Sequence, residues 1–276
     1  MKILLTGAGG QLGRDVAAAL AGVFEVHALD RARLDVSDRR QVSDTVFRMS
    51  PDWIVNCAAF TDVDRAERDQ AAADAVNARA PGYLAEAAAR AGAAILHVST
   101  DYVFDGAKGA AYDENDSPNP LNVYGRTKLE GEERVLASGA RACLLRTAWL
   151  YGRHGSNFVK AILEAARRGG PLRVVADQVG SPTLTTDLAD AVHLLLRRPA
   201  FGLFHVANQG AASRYQQARA IVGERVEVIP ISSAESGRPA PRPANSTLTS
   251  VRWEAAGFPS LRPWQEALAQ FVESLG

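Results

Sequence analysis

Two side chains in the stretch "VYGRTKLEGE", residues 123–132, are spaced for joint chemistry. Tyr124 and Lys128 lie four residues apart, so on a helix they share a face and reach one site together. A free tyrosine titrates near about 10, and a nearby ammonium favours its phenolate. Such a phenol can give a proton to a carbonyl oxygen as hydride reaches its carbon, or take one in reverse. Taken alone, Tyr-x-x-x-Lys reads as a surface pair, because long side chains at helical spacing are common. Its meaning depends on what else converges there.

The first candidate is Thr6-Gly7-Ala8-Gly9-Gly10-Gln11-Leu12-Gly13, which follows an apolar run and opens a helical pattern. Glycines there permit a tight turn and let backbone amides approach a pyrophosphate, with the helix N-terminus adding partial positive charge. Asp30 ends the next apolar run about twenty residues on, where a dinucleotide fingerprint expects an acid for the adenosine ribose. A carboxylate at Asp30 favours NADH, whereas the adjacent Arg31 can greet the 2′-phosphate of NADPH; the sequence leaves both cofactors open. Asp35 and Val36, in "RLDVSD", are placed to reach the adenine, and a turn or cap role for Asp35 is the alternative.

The second candidate is "HVSTDYVFDG", residues 97–106. A strand ending in Ser99, Thr100 and Asp101 puts hydroxyls at its carboxyl end, where open α/β sheets bind ligands. Thr100 is then placed to hydrogen-bond a carbonyl oxygen and stabilise charge developing on it. His97 lies inside the strand and reads as a core histidine.

These residues need elements to position them. "KILLT", "FEVHALD", "WIVNCAA" and "AAILHVS" read as strands, alternating with helical patterns at "QLGRDVAAALAG", "DRRQVSDTVFRM" and "DQAAADAVNARAPGYLAEAAARAG". Pro81 must interrupt or kink the last of these. A loop rich in Gly, Asp, Asn and Pro runs from Asp101 to Asn122, followed by the Tyr124 helix and the strand "ACLLRTAWL". This alternation predicts an α/β, Rossmann-type, doubly wound parallel sheet with right-handed crossovers. The expected division is a dinucleotide-binding domain over 1–150. A smaller, mainly substrate-binding lobe over 151–276 is expected to interleave with the sheet. "PISSAESGRPAPRPANSTL" reads as loop.

The totals exclude several classes. The chain has 276 residues and a formal net charge of zero, so no basic excess is available for gripping nucleic acid. Cys57 and Cys143 sit in apolar runs and read as buried free thiols, with neither a disulfide framework nor a metal cluster indicated. The apolar start "MKILL" is too short for a secretion signal, and no stretch approaches a membrane span. A cytoplasmic setting is expected.

Together the glycine loop, the Ser/Thr at the end of the fourth strand and Tyr-x-x-x-Lys resemble the extended short-chain dehydrogenase/reductases. More narrowly, "GQLG", "STDYVFDG", "PLNVYGRTKLEGE", "LLRTAWLYG", "DQVGSPT" and "RPANSTL" resemble the dTDP-4-dehydrorhamnose reductase family, in order and over nearly the whole chain. The resemblance implies NADPH- or NADH-dependent reduction of the 4-keto group of dTDP-4-dehydro-β-L-rhamnose, the last step in making dTDP-L-rhamnose. It implies Tyr124 as proton donor, Lys128 as its activator and holder of the nicotinamide ribose, and Thr100 and Asp101 near the sugar carbonyl. It further implies Trp149 packing on the substrate, and Gly10, Gln11 and Leu12 around the pyrophosphate. Ala59, Phe60 and Thr61 would line the dinucleotide. Phe60 departs from a histidine common in the family. Arg242 is placed near the nucleotide diphosphate, a surface role being the alternative. Some members form magnesium-bridged dimers; here Asp15 stands without a partner glutamate, Thr186 occupying that place, so no metal is expected. A monomer or a homodimer fits. The rival readings are a related nucleotide-sugar 4-ketoreductase, epimerase or dehydratase, and a non-catalytic NADP-binding regulatory subunit.

Overall fold

The computed structural model describes residues 1–275. Five apolar runs form strands β1 (Lys2–Thr6), β2 (Glu25–Leu29), β3 (Trp53–Asn56), β4 (Ala94–Thr100) and β5 (Arg141–Thr147). They pair in parallel in the order β2-β1-β3-β4-β5, and the strand Gly202–His205 adds to β5 as a sixth. The order reverses beside β1, so a crevice opens between the carboxyl ends of β1 and β3, the switch point where such sheets bind ligands.

Successive strand residues point to opposite faces. Ile3, Leu5, Val55, Leu96 and Leu145 join one core with helix α1 (Gln11–Leu20) and the helix Thr185–Arg197. Leu4, Ile54, Ile95 and Leu144 join the other, with helices Arg39–Met49 and Ala80–Ala91. Burial on both faces explains why these strands read as continuous apolar runs and not as alternating ones. A third core, around Tyr151, Ile162, Ile221, Trp264 and Phe271, builds the C-terminal lobe.

The sixth strand and the helix Thr185–Arg197 come after residue 150 and complete the sheet layer, so this part of the chain interleaves with the sheet. Two features depart from the expected elements. The Pro81 interruption takes the form of a π-helical turn, Asp74–Arg79, between Gln70–Ala73 and Ala80–Ala91. Proline has no N–H for the carbonyl four residues earlier, that of Asn77, and the helix widens in that turn. Within the stretch read as loop, Ser233–Ser236 forms a helical turn closed by a Ser232–Glu235 capping box.

Candidate active site

The glycine loop makes a cradle. Gly7 has φ +70°, and a Cβ there would lie 2.5 Å from the Ala58 amide nitrogen, so β1 and the β3 end meet at backbone contact. The Gly10 amide donates to the Gly7 carbonyl at 2.9 Å. Gly10 caps α1 without a side-chain bond, leaving the helix's opening amides for an anion.

Two cavities join at Gly10, Cys57 and Ala59. One, of about 410 Å³, is lined by Gly7, Asp30, Arg31, Asp35, Val36 and Phe60 beside the shared residues. Asp30 accepts from the Arg33 amide at 3.1 Å. Asp35 accepts from the Ser37 amide and hydroxyl at 3.0 and 2.6 Å, which hold its carboxyl below the usual carboxylate range. Asp35 thus takes the turn role and also lines this cavity. Asn77, carried by the π turn, receives the Phe60 amide at 2.8 Å and donates to the Phe60 carbonyl at 3.0 Å, fixing that wall.

The second cavity, of about 420 Å³, gathers Gln11, Leu12, Thr61, Thr100, Asp101, Tyr124, Lys128 and Trp149. Asn122 caps the Tyr124 helix (Val123–Ala137) by accepting from the Gly125 amide at 2.8 Å. A Cβ at Gly125 would lie 2.1 Å from the Tyr102 carbonyl oxygen, so glycine alone lets this helix press onto the turn after β4. That contact brings Tyr124 against Thr100. Burial pushes the Tyr124 phenol up, the Thr100 hydroxyl pulls it back, and the negative charge of Asp101 adds to the rise.

The acidified phenol expected from the sequence is not the resting state. Lys128 is 1 % exposed, and its Nζ donates to the Val98 carbonyl at 2.7 Å and meets His97 Nε2 at 3.2 Å. Its own affinity for a proton falls, to a pKa of about 8, because burial disfavours the ammonium. Asp101 shifts the other way. Burial raises its carboxyl to about 6, against hydrogen bonds from Ser246 (2.5 Å) and Thr100 (3.0 Å) and the charge of Arg214.

Trp149 has φ +48°, a left-handed backbone that a bulky side chain adopts only under constraint. Its indole lies against Gly180, and the Arg214 guanidinium stacks on it 3.5 Å from the ring centroid. Arg242 lines neither cavity. Its guanidinium donates to both oxygens of Asp64, at 3.1 and 2.9 Å, and Arg238 donates to the same carboxylate at 3.1 Å. The strap carrying Arg238 and Arg242 is thereby clasped to the helix Val63–Arg68, and Arg242 stands one layer behind Tyr102. Cys57 is half-buried on the floor joining the cavities, whereas Cys143 is core as expected. Burial pushes the Cys57 thiol up to about 12.

A family model described as RmlD substrate binding domain matches residues 1–276. The chain belongs to this family. It is 44% identical over 279 residues to a dTDP-4-dehydrorhamnose reductase of Mycobacterium tuberculosis (strain CDC 1551 / Oshkosh), covering 97% of this chain and 91% of the relative. It is also 44% identical, over 98% of this chain and 94% of the relative, to a probable dTDP-4,6-dihydroxy-2-methyloxan-3-one 4-ketoreductase of Streptomyces antibioticus. A crystal structure of the dTDP-4-dehydrorhamnose reductase of Bacillus anthracis in complex with NADP superimposes with a TM-score of 0.96 at 35% identity, over 99% of both chains. The family resemblance read from the motifs holds along the whole RmlD fold.

Sequence reasoning missed Tyr102, Asn157 and Arg214 in the second cavity. Tyr102 stands inside "STDYVFDG", so a motif did point to it. Asn157 donates to Gln11 Oε1 at 2.8 Å, and Arg214 stacks on Trp149; no local pattern announces either contact. Asp15 accepts from the Thr185 hydroxyl at 2.5 Å, with His154 Nε2 3.7 Å from its other oxygen. Among the described residues no helix is long and apolar enough to cross a membrane.

Proposed function

We propose that this chain reduces the 4-keto group of dTDP-4-dehydro-β-L-rhamnose to give dTDP-L-rhamnose with NADPH, in the cytoplasm, as a monomer or homodimer. One observation carries the reading: Thr100, Tyr124, Lys128 and Trp149 line a single cavity that opens into the glycine cradle. The cradle fits a dinucleotide, because Gly7 is in backbone contact and the α1 amides stand free beside it. Gly10, Gln11 and Leu12 would hold the pyrophosphate, and Asp30, Arg31, Asp35 and Val36 the adenosine half. Arg31 at the cavity wall supplies a cation for a 2′-phosphate, in keeping with the NADP bound by the Bacillus anthracis relative.

Bound there, a reduced nicotinamide supplies hydride to a carbonyl carbon. Tyr124 Oη gives its proton to the carbonyl oxygen, and the high proton affinity of its phenol keeps that proton in place until charge develops. Thr100 now donates to Asp101, so its single hydroxyl proton turns to the carbonyl oxygen when the sugar binds. Lys128, in its ammonium form, stabilises the phenolate left on Tyr124. Trp149, braced by Arg214, packs on the sugar, and Arg214 supplies positive charge to the nucleotide diphosphate.

The test is loss of reduced-nicotinamide absorbance with dTDP-4-dehydrorhamnose, for wild type beside Tyr124→Phe. Turnover falling by about 10²–10⁴ with cofactor binding retained is expected. No consumption by wild type that binds either cofactor would sink the proposed substrate. No turnover by the wild type on any nucleotide sugar, with Tyr124→Phe then silent, would support a binding-only subunit, whereas an active wild type matched by Tyr124→Phe would remove Tyr124 as the proton donor. Relatives of equal identity bear names for different sugars, so a panel of 4-keto nucleotide sugars decides among ketoreductases.

A further inference from the structure

A buried polar chain runs from the cradle strand to the lysine. Thr6 Oγ1 donates to Asn56 Oδ1 at 2.7 Å, and the Ala58 amide donates to the same oxygen at 3.1 Å. Asn56 Nδ2 meets His97 Nδ1 at 2.9 Å, and His97 Nε2 meets Lys128 Nζ at 3.2 Å. His97, Asn56 and Thr6 are at most 1 % exposed.

Donor and acceptor roles along this chain are fixed by one N–H. The Ala58 amide can only donate, so the Asn56 atom facing it is the oxygen and the atom facing His97 is the NH₂. His97 Nδ1 must therefore accept, and a neutral imidazole then carries its proton on Nε2. Burial holds His97 neutral. Its Nε2–H points at Lys128, which can accept that bond only as an amine; an ammonium offers no lone pair and would face a donor. The Val98 carbonyl takes an N–H from either form.

We propose that His97, locked in its Nε2–H tautomer by Asn56, is a positioning residue that favours the amine of Lys128 over the ammonium in the cofactor-free enzyme. Glu132 on the same helix and Cys57 beyond β3 oppose this by favouring the ammonium. Glu132 is neutralised in a buried bidentate pair with Arg146, and the Cys57 thiol is held protonated by burial. Tyr124 faces the site uncharged. The catalytic consequence rests on the Tyr124–Lys128 assignment: the ammonium of Lys128 is held less firmly in the empty site than when a phenolate or a bound anion faces it.

The test needs neither substrate nor cofactor. Lysines stand only at 2, 108, 128 and 160, so ¹³C-labelled lysine gives a simple spectrum, with Lys128→Met identifying the signal. Long-range ¹H–¹⁵N spectra of the imidazoles report the His97 tautomer in the wild type. The expected results are an Nε2–H tautomer and a Lys128 midpoint near about 8. In His97→Met, Lys128 should bind its proton about tenfold more tightly, while His97→Gln, which keeps an N–H donor, should stay near wild type. An Nδ1–H tautomer, a charged His97, an ordinary Lys128 midpoint or an unmoved midpoint in His97→Met each overturns the proposal. The tautomer reading stands even if a variant does not fold.

Discussion

At the scale of single residues, the site is built from groups whose burial moves them away from their usual charge. Asp101 is the clearest case, 2 % exposed with a carboxyl raised to about 6. A group whose folded affinity for a proton exceeds its unfolded one costs stability as pH rises from about 4 through about 6, and the loss persists above. Asp101→Asn removes that slope. Urea unfolding at pH 4, 5 and 6.5 should show wild type losing on the order of 2–3 kcal/mol relative to Asp101→Asn across that window. Parallel curves would mean that Asp101 does not carry the raised value. Turnover should fall in the same variant, because the amide can donate to Thr100 and disturb the hydroxyl that must turn to the sugar.

Residue identity also set what the sequence could show. Tyr124 and Lys128 were legible because helical spacing alone puts them on one face. The state of Lys128 was not, since it depends on His97 and Asn56, which read as ordinary strand residues. Arg242 was legible as a cation near the site, but its partner Asp64 lies 178 residues away in the chain, beyond any local pattern.

At the scale of elements, the Tyr124 helix is positioned by contact more than by its own propensity. Gly125→Ala sets a Cβ against a carbonyl of the β4 turn, a backbone atom that cannot swing aside. The helix must lift, and the expected cost is about 1–3 kcal/mol, as for other overpacked sites. Because Tyr124 is the neighbouring residue, kcat should drop tenfold or more with a smaller change in KM. Thermal melting and steady-state rates on one preparation separate the two effects; unchanged kcat in a destabilised protein would show that the helix position does not govern the chemistry. The strands β1 to β4 were readable because each is an apolar run ended by glycine or polar turn residues. The π turn was not: Pro81 announced an irregularity, but whether the chain breaks, kinks or widens there is set by tertiary contacts such as those of Asn77 with Phe60.

At the scale of the whole molecule, elements from both sides of residue 150 share one layer. The strand Gly202–His205 pairs with β5, and the helix Thr185–Arg197 packs in one core with α1. Its place in the sheet could not be read from "LFHVAN", because pairing across such a distance is a tertiary choice. A fragment of residues 1–150 should therefore lack cooperative melting and bind reduced cofactor poorly, whereas two lobes of independent stability would leave it folded. Circular dichroism on the fragment decides this.

The late arrival of that sixth strand has a consequence for the chain as it is made. Synthesis proceeds at roughly 5–20 residues per second, so β5 emerges seconds before the strand that covers it. During that interval the nascent chain presents an open row of amides and carbonyls along Arg141–Thr147, a surface that recruits other strands. Vulnerability in the cell belongs to that interval more than to the finished fold, and a chaperone would find its work at β5.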